Sequence, residues 1–141
     1  MYHIHKYQSG GVSEDFAKLL LRATLAILIL FHGVAKIFGG VGFITSLVAK
    51  AGFPAAFGYL VYVGEVVAPL LMLLGIWTRP AAVIVAINML VAILLVHTGE
   101  ILALTKNGGW ALELQGLLLV SALTVALLGA GRYSVGGSRW N

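Results

Sequence analysis

Residues Leu19 to Phe38 read LLLRATLAILILFHGVAKIF, a run too long and too apolar for the surface helix of a water-soluble domain. A helix of about 20 residues rises about 30 Å, the thickness of a bilayer's hydrocarbon core. The run nevertheless ends with His32, Gly33 and Lys36 on its last turns. An ionisable group inside a span costs about 2.5–3.5 kcal/mol on insertion scales, so such groups face the bundle and often mark function.

The rest of the chain follows the same pattern. Of 141 residues, 60% are hydrophobic and 10% charged, against about 25% charged in soluble domains. We therefore expect an all-α, integral membrane four-helix bundle, a single membrane domain over residues 1–141 running up-down-up-down. The expected spans cover about residues 19–38, 55–77, 81–97 and 110–129. Gly39 and Gly40 stop the first, Thr78-Arg79-Pro80 turns between the second and third, and Lys106-Asn107-Gly108-Gly109 breaks the chain before the fourth. Between spans one and two, Phe43 to Lys50 is too short to cross and reads as an interfacial helix. Pro69 cannot donate to the Glu65 carbonyl four residues earlier, which predicts a local kink in span two.

Ser13, Glu14 and Asp15 suit a helix N-terminus. Lys18 and Arg22 are expected to anchor the first span by extending their charged heads to the headgroups. Lys6, Lys18, Arg22, Arg79, Arg132 and Arg139 fall on one side of this topology, and Lys36, Lys50 and Lys106 on the other. The excess predicts that both termini are cytoplasmic and that the protein is a multi-pass protein of the cell inner membrane.

The absence of cysteine excludes disulfides, thiol relays, and iron-sulfur or haem attachment through Cys. The net charge of +4 comes from Lys and Arg scattered at span ends, so the expected partner is the lipid bilayer and not a nucleic acid. The segment before Asp15 is polar and lacks a small-residue cleavage site, which argues against a removable signal peptide. His3 and His5 alternate on that terminus and are expected to be solvated, with no metal site.

Depth along the helices groups the polar residues. His32 and Lys36 lie roughly 20 and 25 Å from the cytoplasmic edge and Glu65 roughly 15 Å from it. Glu113 near the start of span four and His97 at the end of span three share the outer half. His32, Lys36, Glu65, His97 and Glu113 are therefore the candidate binding residues, with no catalytic residue assigned. His32 and Lys36 are four apart on one helix face, with Gly33 allowing close approach. Lys36 either snorkels outward or pairs with Glu113 at its own depth, while Glu65 is placed to meet His32 or a Lys side chain reaching inward. His97 and Glu113 also fit interfacial or structural roles. Asn88, Gln115 and Tyr62 read as structural, and Asn88, nine residues before His97, should point to nearly the opposite helix face.

Phe31-His32-Gly33-Val34-Ala35-Lys36, Gly52-Phe53-Pro54, Glu65, Leu74-Gly75-Ile76-Trp77-Thr78-Arg79-Pro80, His97 and Gly129-Ala130-Gly131-Arg132-Tyr133-Ser134 together resemble the DoxX family of small bacterial and archaeal membrane proteins. The resemblance covers nearly the whole chain and implies a four-helix membrane bundle. It also implies association with quinol oxidase, thiosulfate:quinone oxidoreduction or other membrane oxidoreductase assemblies, with Gly33, Lys36, Glu65, Arg79 and His97 at recurrent positions.

Three functions are consistent with these residues. The first is an accessory or quinone-interacting subunit of a membrane oxidoreductase, with no covalent cofactor, a quinone as ligand and an electron-transferring partner protein. The second is a structural or assembly subunit whose charges fix helix register. The third is a small-solute or proton transporter built around Glu65, for which four short spans offer little material without homo-oligomerisation.

Overall fold

In the computed structural model, which describes residues 11–137 and 140–141, the first apolar run belongs to a helix longer than the run itself. Helix α1 spans Val12–Gly39, with Glu14 and Asp15 in its first turn, where the helix dipole favours acids. Its buried face carries Arg22, Leu25, Ala26, Ile29 and Gly33, at the spacing of one helical stripe. Helix α2 spans Gly42–Lys50, close to the expected interfacial helix. Gly58 packs against it so closely that a Cβ would come within 2.9 Å of Thr45 Cα.

The segment expected as a uniform second span is built from three helical forms. A 3-10 turn runs Ala55–Leu60, a π-helical turn Val63–Val67, and helix α3 Ala68–Leu74. The kink predicted at Pro69 takes the form of the π turn, in which the Ala68 N–H donates to the Val63 carbonyl five residues back. With no N–H at Pro69, the regular i→i−4 ladder is interrupted here, and Glu65 sits inside the widened turn. Gly75, at φ 76, takes the left-handed conformation that ends α3.

Helix α4 spans Thr78–Val96 and α5 spans Glu113–Leu128. Asn141 caps α4: its Oδ1 accepts from the Thr78 N–H at 3.1 Å and from the Thr78 hydroxyl at 2.9 Å. Arg79 closes the far end of α5, donating to the carbonyls of Ala126 at 3.0 Å and Leu127 at 2.7 Å. A cation there meets unpaired helix carbonyls and the negative end of the dipole. The α4–α5 connection holds a 3-10 turn, Thr98–Glu100, and one antiparallel bridge between Leu104 and Trp110.

Three helical stretches, Val12–Gly39, Ala55–Leu74 and Thr78–Val96, are long and apolar enough to cross a membrane, while α5 is apolar but shorter. No strand forms among the described residues. The core interleaves small and large side chains, with Ala26, Ala82 and Ala122 among Ile29, Met72, Val85 and Val125. Small residues let helix backbones approach where no hydrophobic force drives association. The outward surface carries Phe31, Leu70, Ile87, Leu117 and Leu127, as expected of a protein solvated by lipid.

Arg22 corrects the anchoring role expected of it. Because α1 begins at Val12, Arg22 lies about 15 Å along the helix and is 1% exposed. Its guanidinium donates to the carbonyls of Met72 (2.9 Å) and Tyr133, so it ties α1 to the end of α3 and to the C-terminal segment. Asp15 joins the same end of the bundle, where its Oδ1 accepts from the Arg132 N–H at 3.3 Å.

Candidate functional site

Gly33 lets α1 and the π turn touch. A Cβ at this position would overlap the Glu65 carbonyl oxygen, with the Glu65 carbonyl carbon and Val66 Cγ2 each 2.8 Å away. One turn further along α1, Lys36 Nζ lies 2.7 Å from Glu65 Oε2. Lys36 therefore turns inward, and its partner is Glu65, not Glu113. The Tyr62 hydroxyl donates to the Lys36 backbone carbonyl at 2.9 Å, a second tie between the same two elements.

The pair is close but incompletely satisfied. The Glu65 side chain is 10% exposed and that of Lys36 22%. Although Nζ is within ion-pair distance, Glu65 Oε2 has no partner that meets hydrogen-bond geometry among the described residues. We read the contact as Coulombic, with the acceptor capacity of the carboxylate only partly used. The ammonium keeps further N–H donors and the carboxylate further lone pairs, so both remain able to bond a ligand in the cavity.

That wall belongs to a cavity of about 580 Å³. It lies among the end of α1, helix α2, the 3-10 and π turns, the second half of α4 and the start of α5. Most of the lining is apolar, including Leu47, Phe53, Phe57, Ile87, Val91 and Leu118. Its polar side chains are those of His32, Lys36, Glu65, Asn88, His97 and Gln115. Phe53, Phe57 and Ile87 are each more than half exposed, so this wall is continuous with the lipid-facing surface.

Four of the five candidate residues, His32, Lys36, Glu65 and His97, line this one cavity. His97 Nδ1 stands 3.3 Å from Glu100 Oε2 at the end of α4. Glu113 is not part of the lining: it is exposed at the first position of α5, its carboxylate folded over Gly109. An acid at that position is favoured by the helix dipole, which accounts for it without a ligand.

Asn88 and Gln115, expected to be structural, also border the cavity. The expected opposition of Asn88 and His97 fails because His97 lies just past α4, with φ −118 and ψ 11, so a helical-wheel angle does not apply to it. Two isolated amides in otherwise apolar helices were the available signal. No cluster of three or more metal-ligating side chains forms among the described residues, and His3 and His5 lie outside them.

His32, Lys36, Glu65 and His97, which line one cavity, fall within the stretch that matches a known family model, DoxX, over residues 17–98. The chain belongs to the DoxX family. The matched region takes in most of Val12–Gly39 and all of the other two long apolar stretches, and the protein is accordingly a multi-pass membrane protein. No curated protein and no solved structure matches the chain. Within the DoxX match lie every cavity side chain with an ionisable group and Asn88, while Glu113 and Gln115 follow it.

Proposed function

We propose that this DoxX protein is a quinone-interacting accessory subunit of a membrane oxidoreductase system, and that the cavity beside the Lys36–Glu65 pair receives the quinone head group. The observation that carries this reading is the 2.7 Å Lys36–Glu65 pair in the wall of a largely apolar cavity that His32 also lines, which sets N–H donors for a quinone oxygen beside a carboxylate. A volume of about 580 Å³ lies within the ~300–1,000 Å³ usual for small-molecule sites. In this reading the chain is one membrane domain over residues 1–141. It forms an up-down-up-down bundle of four spans in the cell inner membrane, with α5 as the fourth and both termini cytoplasmic.

The donor set fits such a ligand. A quinone, when bound, supplies reversible uptake of two electrons and two protons. Lys36 and His32 are the donors for a ring oxygen, and Glu65 is the group that holds or releases a proton beside it. The apolar lining excludes water from these polar groups and strengthens their electrostatic interactions. The chain has no Cys thiolate for a metal cluster, and in this reading electrons are exchanged with a redox centre on a partner protein.

The test is Glu65→Gln in the full-length protein with its partner complex. The substitution keeps the shape and removes the titrating proton, and we expect quinone-dependent turnover to fall at least about tenfold. Unchanged turnover in a folded variant rejects the role of Glu65. A second reading is favoured by the Gly33–Glu65 contact: the ion pair fixes the register of α1 against the π turn and does no chemistry. The two readings separate on the paired replacement described in the Discussion.

A further inference from the structure

Asn88 and Gln115 are the polar cavity groups that neither the ion pair nor the quinone reading uses. Asn88 is half-buried in the middle of α4 and lies against Gly64: a Cβ on Gly64 would stand 2.6 Å from Asn88 Cβ, Cγ and Oδ1. Gly64 is buried and directly precedes Glu65, so Asn88 packs on the same turn that carries the carboxylate. Gln115 is half-buried in the first turn of α5 and borders the same cavity. Both side chains border a cavity whose other walls are mostly apolar. An amide facing such surroundings gains from a ligand oxygen or hydroxyl that bonds to it.

The charges restrict the ligand further. Lys36 and Glu65 cancel across 2.7 Å, and the other polar lining groups are two imidazoles and two amides. Charged ligands gain no net counter-charge from such a wall, and an anion meets the carboxylate.

We propose that Asn88 and Gln115 are specificity-determining contacts that select an uncharged, lipid-soluble ligand with carbonyl or hydroxyl oxygens over an anionic lipid. Gly64 is the positioning residue that gives Asn88 its place on the π turn. This rests on the quinone reading above and extends it to the choice of ligand.

The experiment is equilibrium binding of decylubiquinone to the purified full-length protein in dodecyl maltoside, with oleate as an anionic competitor of similar apolar bulk. Asn88→Leu and Gln115→Leu should each weaken decylubiquinone binding by about three- to tenfold, the effect of one lost hydrogen bond. Gly64→Ala should weaken it comparably by displacing Asn88, and oleate at equal concentration should not displace the quinone. Thermal unfolding identifies a variant that fails to fold, and Gln115→Leu, on a different helix, then carries the test. Wild-type-like binding by folded Asn88→Leu and Gln115→Leu overturns the amide assignment and leaves the quinone site standing. Displacement by oleate at equal concentration overturns the selectivity for uncharged ligands. A wild-type protein that binds no decylubiquinone overturns the quinone reading and this inference together.

Discussion

Gly33 lies directly on the backbone of Glu65, and that contact sets the distance across which Lys36, one turn later on α1, meets the Glu65 carboxylate. The ion pair is thus a consequence of a close helix approach that only glycine permits. Gly33→Ala drives a methyl group into a backbone carbonyl, with Val66 Cγ2 2.8 Å away on the other side. Neither neighbouring backbone can yield without moving a helix. We expect a loss of about 1–3 kcal/mol, read as a lower midpoint of thermal unfolding in detergent. A variant as stable as wild type would show that α1 is free to shift along the π turn.

Lys36 and Glu65 should behave as a unit in a double-mutant cycle. Lys36→Met alone leaves a carboxylate in an apolar wall, and Glu65→Met alone leaves an ammonium there. Each should cost about 3 kcal/mol, the low end for a broken buried pair, because Lys36 keeps 22% of its side chain exposed. The double variant should be markedly more stable than the sum of the singles implies. It also separates the two functional readings. If the pair serves register alone, the folded double variant retains partner binding and quinone-dependent turnover; if it holds a ligand, turnover is lost while partner binding persists.

Arg22 governs the opposite end of the bundle. It donates to carbonyls at the end of α3 and to Tyr133, and Nε remains without a partner among the described residues. Arg22→Leu strands those carbonyls and should cost about 3 kcal/mol, with faster proteolysis near Tyr133. Arg22→Lys keeps the charge but loses the planar fork, so its unfolding midpoint should fall between the two. Equal stability of all three would show that Arg22 does not secure the C-terminal segment.

Much of the architecture was legible in local sequence. Gly39 and Gly40 end α1 near the expected place, α2 matches the interfacial segment, and Pro69 marks the interruption of span two. The depth argument also grouped His32, Lys36, Glu65 and His97, which line one cavity. Partner choice was not legible, because it depends on rotation about the helix axes. The π turn adds a residue to the register and turns Glu65 toward α1, while Glu113 serves the start of its own helix. Arg22 was misread for a related reason: its partner Tyr133 is 111 residues away, and no local pattern joins them. Asn88, expected in helix packing, does lie against Gly64 of the π turn, and it borders the cavity as well, which its position in an apolar run does not reveal.

The central claim is that the cavity beside Lys36 and Glu65 holds a quinone, and photoaffinity labelling tests it most directly. A photoreactive azidoquinone, illuminated with the purified protein in lipid nanodiscs, should attach to peptides that carry Phe53 to Glu65 and Ile84 to His97. An excess of unlabelled quinone should prevent that labelling, and Glu65→Gln should weaken it. Labelling that resists competition and spreads over the lipid-facing side of α1, around Ile27 and Leu28, would contradict the account.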